Sequence, residues 1–204
     1  MQKTELDLWL IRHGQSTWNV EGRTQGQQNP PLTPLGEEQA KRLRPRLANL
    51  HFDVVYSSDL ARAAQTAQIA SPTNNICYDK RLREISRGIY EGKTPAERSP
   101  EEQQRFKEIR YGSFSARYES GESMRDVIDR VFHWLEELPE QAKVLAFSHG
   151  GTISAIFHEL FASYGPISFD VVNSSISRVI FRPENVRVMA LNDAAHLSAL
   201  ETGV

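Results

Sequence analysis

The sequence predicts a three-layer α/β sandwich with a mostly parallel central sheet, an antiparallel edge and a small helical cap insertion. Three observations carry that class. Short apolar runs at 6–11, 53–57 and 143–149 alternate with segments of helical periodicity, the pattern of strands joined by crossover helices. The runs "SISRVIF" and "VRVMAL" flank Pro183-Glu184-Asn185 and read as a closing antiparallel hairpin. Between about 91 and 120 the periodicity loosens into polar helix formers with few core positions, as in an insertion lying over a fold. The 204 residues suit one domain, 1–204, carrying this cap.

"LDLWLI" (6–11) is a buried strand, and Gly14 marks the turn leaving it. The stretch from Gln15 to Pro31, rich in Gly, Gln, Asn and Pro, reads as a loop. Thr33-Pro34 is a helix start: a hydroxyl cap, then a proline whose missing N–H costs nothing at the first position. Leu35, Leu43, Leu47 and Leu50 keep helical spacing, and Pro45 is expected to kink that helix or end its first half. "DVVYS" (53–57) is a second strand. Ser57 and Ser58 are candidate caps for the next helix, which places Leu60, Ala63, Ala64 and Ala67 on one face. Residues 75–79 form a weaker third strand. From about Ser123 to Leu138, Met124, Val127, Ile128, Val131, Phe132, Leu135 and Leu138 follow the i, i+3, i+4, i+7 pattern of an amphipathic helix. "KVLAFSH" (143–149) is a further apolar strand, and Gly150-Gly151 leads into a helix from about Thr152.

The formal net charge is -2, without the basic excess of a nucleic-acid binder. Any anion recognised here is therefore small and met by a few placed cations. No apolar stretch is long enough to span a bilayer, and Met1 to Asp7 lacks an apolar signal core. Cys77 is the only cysteine, so no internal disulfide forms, which fits a reducing cytoplasm. Its setting in "NNICYD" predicts a half-buried strand residue. No feature of the sequence specifies an oligomeric state.

Ligands of open α/β sheets sit beyond the carboxyl ends of the strands. Two strands here end in a histidine followed by glycine, His13-Gly14 and His149-Gly150. Arg62 falls in the first turn of the helix after 53–57, and Glu84 follows the third strand. Arg12, His13, Arg62, Glu84 and His149 thus converge on one crevice. Imidazoles, guanidiniums and a carboxyl make a phosphoryl-transfer set, because arginine meets phosphate oxygens in planar, bidentate contacts. The helix start at 58–60 offers backbone N–H donors to the same anion. Each residue alone also fits a structural role. His13 suits a strand-end histidine held by backbone, and Arg62 a solvated helix arginine. Glu84 suits a carboxylate paired with Arg81 or Arg83, and His149 a turn residue.

The segments "LIRHGQSTWN", "LTPLGEEQA", "SSDLARAAQTA", "LREISRGIYEG" and "AFSHGGTISA" together closely resemble the histidine phosphatase superfamily, also called phosphoglycerate mutase-like. The likeness runs in the family's order from the first strand to "LNDAAHL". It implies that His13 is the phosphorylated nucleophile and that Arg12, Arg62 and His149 bind the phosphoryl group. It implies further contacts from Asn19, Gln25 and the Gly150 backbone, and a proton donor at Glu84. It also implies that neither a metal nor another cofactor is needed. Gln15 stands where many members carry Glu.

Mutases of the family usually show "ERHYG" at the acid position and a longer basic insertion. The acid segment here is "REISRGIYEG" and the chain is short, so the resemblance favours the broad phosphatase branch. The expected substrate is a small phosphomonoester. Mutase-type transfer and a non-catalytic phosphate-binding module are the alternatives. A two-His, one-carboxylate metal site built from His13, His149 and Glu84 is disfavoured, because Arg12 and Arg62 would repel a cation. Arg105, Lys107, Arg110 and Arg117 give the cap positive charge, for a second acidic group on the substrate or for a solvated helix face. Phe106, Tyr111, Phe114 and Tyr118 pack either a substrate body or the cap itself.

Overall fold

The computed structural model describes residues 5–165 and 167–198. Strand β1 (Leu6–Arg12) is followed by a one-turn helix α1 (Thr17–Val20) and by α2 (Pro34–Leu47). Then come β2 (Val54–Ser57), α3 (Ala61–Ala70), β3 (Cys77–Tyr78), α4 (Pro100–Tyr111), α5 (Met124–Glu137) and β4 (Ala142–Ser148). Helix α6 (Gly150–Leu160), β5 (Ile176–Phe181) and β6 (Val186–Asp193) complete the order. One six-stranded sheet runs β3-β2-β4-β1-β5-β6. The pairs β3-β2, β2-β4 and β4-β1 are parallel, while β1-β5 and β5-β6 are antiparallel. The α/β class and the antiparallel edge are thus as the sequence predicts.

Alternation along the central strands builds the layers. Leu6, Leu8 and Leu10 of β1, with Val144 and Ala146 of β4, face α5 and α6 through Val131, Trp134, Ile153 and Phe157. Ile11, Leu145 and Phe147 point to the other face, against Leu43 and Leu47 of α2 and Ala67 and Ala70 of α3. A third cluster joins Phe106 and Ile109 of α4 with Tyr90 and Tyr118, and seats this segment on Val127 and Ile128 of α5. Among the described residues no helix is long and apolar enough to cross a membrane.

Several local expectations change. Pro45 neither divides nor ends α2, which continues to Leu47. It lies in the final turn, so the one bond it removes, to the Lys41 carbonyl, falls at the frayed end of the helix with only two residues beyond it. The 15–31 stretch contains α1, capped by a reciprocal Ser16–Asn19 box with Asn where Glu or Gln is usual. Neither Ser57 nor Ser58 is the N-cap of α3. Leu60 holds that place without a side-chain bond, and Asn29 Oδ1 accepts from the Ala61 N–H at 2.5 Å. Ser58 Oγ accepts from the Leu60 N–H, at 3.3 Å, while the Ser57 hydroxyl donates to the Ser58 carbonyl. Helix α6 begins at Gly150, two residues before the expected start. Cys77 is exposed rather than half-buried, because β3 is a two-residue edge strand with nothing packed over it.

The turn leaving β1 is pressed against the first turn of α2. A Cβ on Gly36 would stand 2.0 Å from the Gln15 carbonyl oxygen, and one on Gly14 would stand 2.4 Å from the Gly36 oxygen. Backbone meets backbone there, so no side chain can rotate away. Gly36→Ala should lower stability by about 1–3 kcal/mol, the range of overpacking, and push Gln15 away from α2. Urea unfolding checks this; an unchanged midpoint would show that the approach is loose.

Candidate active site

Parallel pairing of β1 with β4 sets Arg12 opposite Ser148, so both His-Gly sequences leave the sheet side by side. The His13 N–H continues the ladder to the Ser148 carbonyl at 3.0 Å. The His13 and His149 ring centroids lie 5.1 Å apart. Strand β2 pairs with β4 on its other edge and delivers Arg62 in the first turn of α3. Arg62 is 0% exposed and His13 2%, so neither is the solvated or incidental residue its type alone would allow.

The His13 tautomer follows from one contact. Nδ1 lies 2.7 Å from the Gly14 carbonyl oxygen, which can only accept, so Nδ1 carries the proton and Nε2 keeps its lone pair. Arg62 Nε donates to that Nε2 at 3.3 Å. The Arg62 guanidinium is aimed by two loop carbonyls, those of Gln28 and Gly26, each at 2.8 Å. Arg12 donates through Nη1 to the Val171 carbonyl. On His149, Nε2 lies 2.9 Å from Ser58 Oγ. The buried Ser58 hydroxyl has no other acceptor among the described residues for its own proton, so that proton goes to His149 Nε2, and the His149 proton sits on Nδ1.

Two buried donors in this crevice, Arg12 Nε and His149 Nδ1, have no hydrogen-bond partner among the described residues. Leaving such donors unmet costs about 1–3 kcal/mol each. Phosphoryl oxygens are acceptors of the right charge. Burial pulls His13 well below its usual 6.5, with the Arg62 and Arg12 charges adding to the effect. Burial does the same to His149, reinforced by Arg62. Burial also lowers Arg62 to about 10, still a cation at neutral pH.

Glu84 pairs with neither Arg81 nor Arg83, which are engaged by Asp79 and Asp59. Its carboxyl instead accepts from the Ile85 N–H at 2.9 Å and the Gly151 N–H at 3.1 Å, which brings it to the start of α6. Gly150 lies against Arg12; a Cβ there would stand 3.4 Å from Arg12 Nε. Asn19 and Gln25 line a cavity of about 350 Å³ beside Glu84. Within the loop, Asn19 Oδ1 accepts from the Ser16 N–H at 3.0 Å and Gln25 Oε1 from the Ser16 hydroxyl at 2.9 Å. A second cavity of about 590 Å³ is lined by Arg12 and Glu84, with Phe114, Tyr118 and His158 among its walls. His13 lines neither cavity. Its Nε2 sits behind the Arg62 Nε–H. Among the described residues no three His, Cys, Asp or Glu side chains are arranged to hold a metal ion.

Sequence reasoning missed the residues that hold these groups. The Thr66 hydroxyl accepts from the Gly14 N–H at 3.0 Å and donates to the Arg62 carbonyl at 2.7 Å. Asn173 Nδ2 donates to the His13 carbonyl at 2.9 Å. Arg130 donates to the Arg83 and Glu84 carbonyls at 2.7 and 3.2 Å and pairs with Glu122, which fixes the segment carrying Glu84. The only early signal was for Thr66, a hydroxyl one helical turn beyond Arg62.

The chain resembles known proteins in sequence and in fold. A family model described as the histidine phosphatase superfamily (branch 1) matches residues 8–194. A protein named probable phosphoglycerate mutase GpmB, from Escherichia coli O1:K1 / APEC, is 34% identical over 87% of this chain and 86% of its own length. Bacillus stearothermophilus YhfR superposes with a TM-score of 0.86 at 28% identity, over 95% of this chain and 100% of that one. A phosphoserine phosphatase mutant from Entamoeba histolytica, solved with phosphoserine, gives a TM-score of 0.82 at 28% identity, covering 94% and 99%.

The buried imidazoles make stability pH-dependent. Both stay neutral in the fold well below 6.5, where the unfolded chain gains their protons. Stability is therefore lost as pH falls below that value, by up to about 1.4 kcal/mol per histidine per pH unit, and is unaffected by them above it. Urea unfolding of wild type and His149→Asn from pH 7.5 to 5.5 should show a shallower acid slope in the variant. Parallel slopes would mean that His149 is protonated in the folded chain.

Proposed function

Since the chain belongs to branch 1 of the histidine phosphatase superfamily, a family with phosphatase and mutase members, we propose that it is a metal-independent phosphatase that hydrolyses small phosphomonoesters through a phosphohistidine on His13. The observation that carries this reading is the unprotonated Nε2 of a buried, neutral His13, which accepts from the Arg62 Nε–H and stands among donors from Arg12, Arg62 and His149.

The steps follow from the atoms. His13 Nε2 attacks phosphorus as the ester oxygen departs, and the Nδ1–H retained on Gly14 leaves the phosphorylated ring an imidazolium. Arg12, Arg62 and the His149 Nδ1–H hold the phosphoryl oxygens, charge stabilisation that needs no metal ion. Glu84 gives its proton to the leaving oxygen. As a carboxylate it then takes a proton from water, whose oxygen attacks phosphorus and releases His13 and phosphate. We read residues 1–204 as one catalytic domain with 91–120 as its cap. We place it in a reducing cytoplasm, with no nucleic-acid or membrane partner, consistent with the modest net charge and the free Cys77.

The second reading is mutase-type transfer to another alcohol, favoured by the name of the 34% identical relative. A panel of phosphorylated metabolites and phosphopeptides, with 3-phosphoglycerate included, separates the two. Phosphate release should dominate, persist after exhaustive chelation, and pass through an acid-labile phosphoryl group trapped on His13 by rapid quenching. Efficient interconversion of 2- and 3-phosphoglycerate without phosphate release would reverse the assignment. Wild-type turnover in His13→Ala would remove the mechanism altogether.

Glu84→Gln isolates the proton step. General acid catalysis contributes about 10²–10⁴-fold, so single-turnover phosphorylation by an alkyl phosphate should slow by that order. An aryl phosphate such as p-nitrophenyl phosphate, whose leaving group needs little help, should slow far less. Equal losses for both substrates would make Glu84 a positioning residue.

A further inference from the structure

We propose that Arg87, Arg98 and Arg110 form a second anion subsite that selects leaving groups bearing a second phosphate, so that the preferred substrates are small organic bisphosphates. The inference rests on the phosphatase reading, because it concerns the leaving-group side of that site. All three arginines line the cavity of about 350 Å³ beside Glu84. Gly26 lines it too, and its carbonyl holds Arg62, so the cavity borders the phosphoryl crevice. Arg87 and Arg110 also line the larger cavity next to Glu84.

What sets these three apart is their partners. Arg23, a fourth arginine of the same wall, is neutralised by Glu21 and Glu97. Two cap arginines singled out by sequence are likewise spent: Arg105 pairs with Glu108 and Arg117 with Asp126. Arg87, Arg98 and Arg110 form no salt bridge among the described residues. Aromatic rings meet all three instead, Arg110 lying 5.6 Å from the Tyr111 ring centroid. The Arg87 guanidinium lies 4.6 Å from the Tyr118 ring centroid and donates to its hydroxyl. The Arg98 guanidinium lies 4.0 Å from the Phe106 centroid and donates to the Thr24 hydroxyl. A ring orients a guanidinium without cancelling its charge, whereas a carboxylate would cancel it. Arg98 is only 9% exposed, and its buried Nε has no partner among the described residues. Apart from these cations and the spent Arg23, Glu84 is the one ionisable side chain on this wall. Three positive charges against one negative match a phosphate dianion better than a carboxylate.

The test compares kcat/KM for linear diol bisphosphates of three to six carbons with the matching monophosphates and with phosphoesters of the matching hydroxy acids. The best bisphosphate should exceed its monophosphate by at least about tenfold, through a lower KM, as expected for charge-assisted hydrogen bonds. Arg110→Gln, at the exposed end of α4, should bring that ratio towards one, and Arg110→Lys should restore part of it. A wild-type ratio of one, a ratio untouched by Arg110→Gln, or a stronger preference for the carboxylate would overturn the proposal. Titration calorimetry of the wild-type protein with linear alkane bisphosphonates and the matching alkylphosphonates reads the subsite without turnover. Tighter bisphosphonate binding with no ester hydrolysed would sink the phosphatase reading and keep the subsite. Hydrolysis of all esters with equal binding of both phosphonates would do the reverse.

Discussion

Arg12 stands opposite Ser148 across two parallel strands, and this register sets where both histidines emerge. Side chains alternate along a strand, so a slip of one residue would turn His149 to the other face and break the pair. The register is held from both sides of the sheet. Leu8 and Leu10 share one core with Val144 and Ala146, while Ile11 shares the other with Leu145 and Phe147. Backbone bonds then carry the order past the strand ends, from His13 N–H to Ser148 and from Ser58 N–H to Phe147. The same carboxyl-end edge receives Arg62 from α3 and Glu84 through its bond to the Gly151 N–H.

Charge at this edge is handled in an unusual way. Burying a cation costs several kcal/mol, which proteins ordinarily offset with a carboxylate. Around the site that rule is kept: Arg83 pairs with Asp59, Arg81 with Asp79 and Arg130 with Glu122. Inside the crevice it is not. Arg62 is met by two backbone carbonyls and Arg12 by one, partners that supply hydrogen bonds but no negative charge. The desolvation is partly repaid and the field of the two cations stays available. Burial, reinforced by that field, keeps His13 neutral, and the same field would favour an anion. Arg12, Arg62, Arg87 and Arg98 thus meet carbonyls, hydroxyls or rings and no carboxylate, so their charge is not cancelled within the fold.

Much of this was legible in the sequence, for a physical reason. His13 and His149 end apolar runs that a glycine closes, while Arg62 and Glu84 follow the shorter runs at 53–57 and 75–79. What was illegible depends on distant partners. Asn29 takes over the capping of α3 that Ser57 and Ser58 seemed placed to perform, from a loop 32 residues earlier. Asn173 reaches the His13 carbonyl across 160 residues. Cys77 looked half-buried because its neighbours are apolar, but an edge strand of two residues has no layer over it. Among the cap cations, composition could not tell Arg110, which lines the cleft, from Arg105 and Arg117, which meet acids of their own surface.

Thr66 shows how a residue of no apparent chemistry joins two parts of the site. Its hydroxyl accepts from the Gly14 N–H and donates to the Arg62 carbonyl, one turn back along α3. The Gly14 peptide is the one whose carbonyl fixes the proton on His13 Nδ1. One hydroxyl therefore ties the group that sets the His13 tautomer to the helix turn that carries the guanidinium facing its lone pair. An apolar side chain of the same shape would pack in the same space, but it would leave the Gly14 N–H buried without an acceptor. The hydroxyl's value lies in its capacity to accept and donate at once, which periodicity does not register and which appears only when β1 and α3 are brought together.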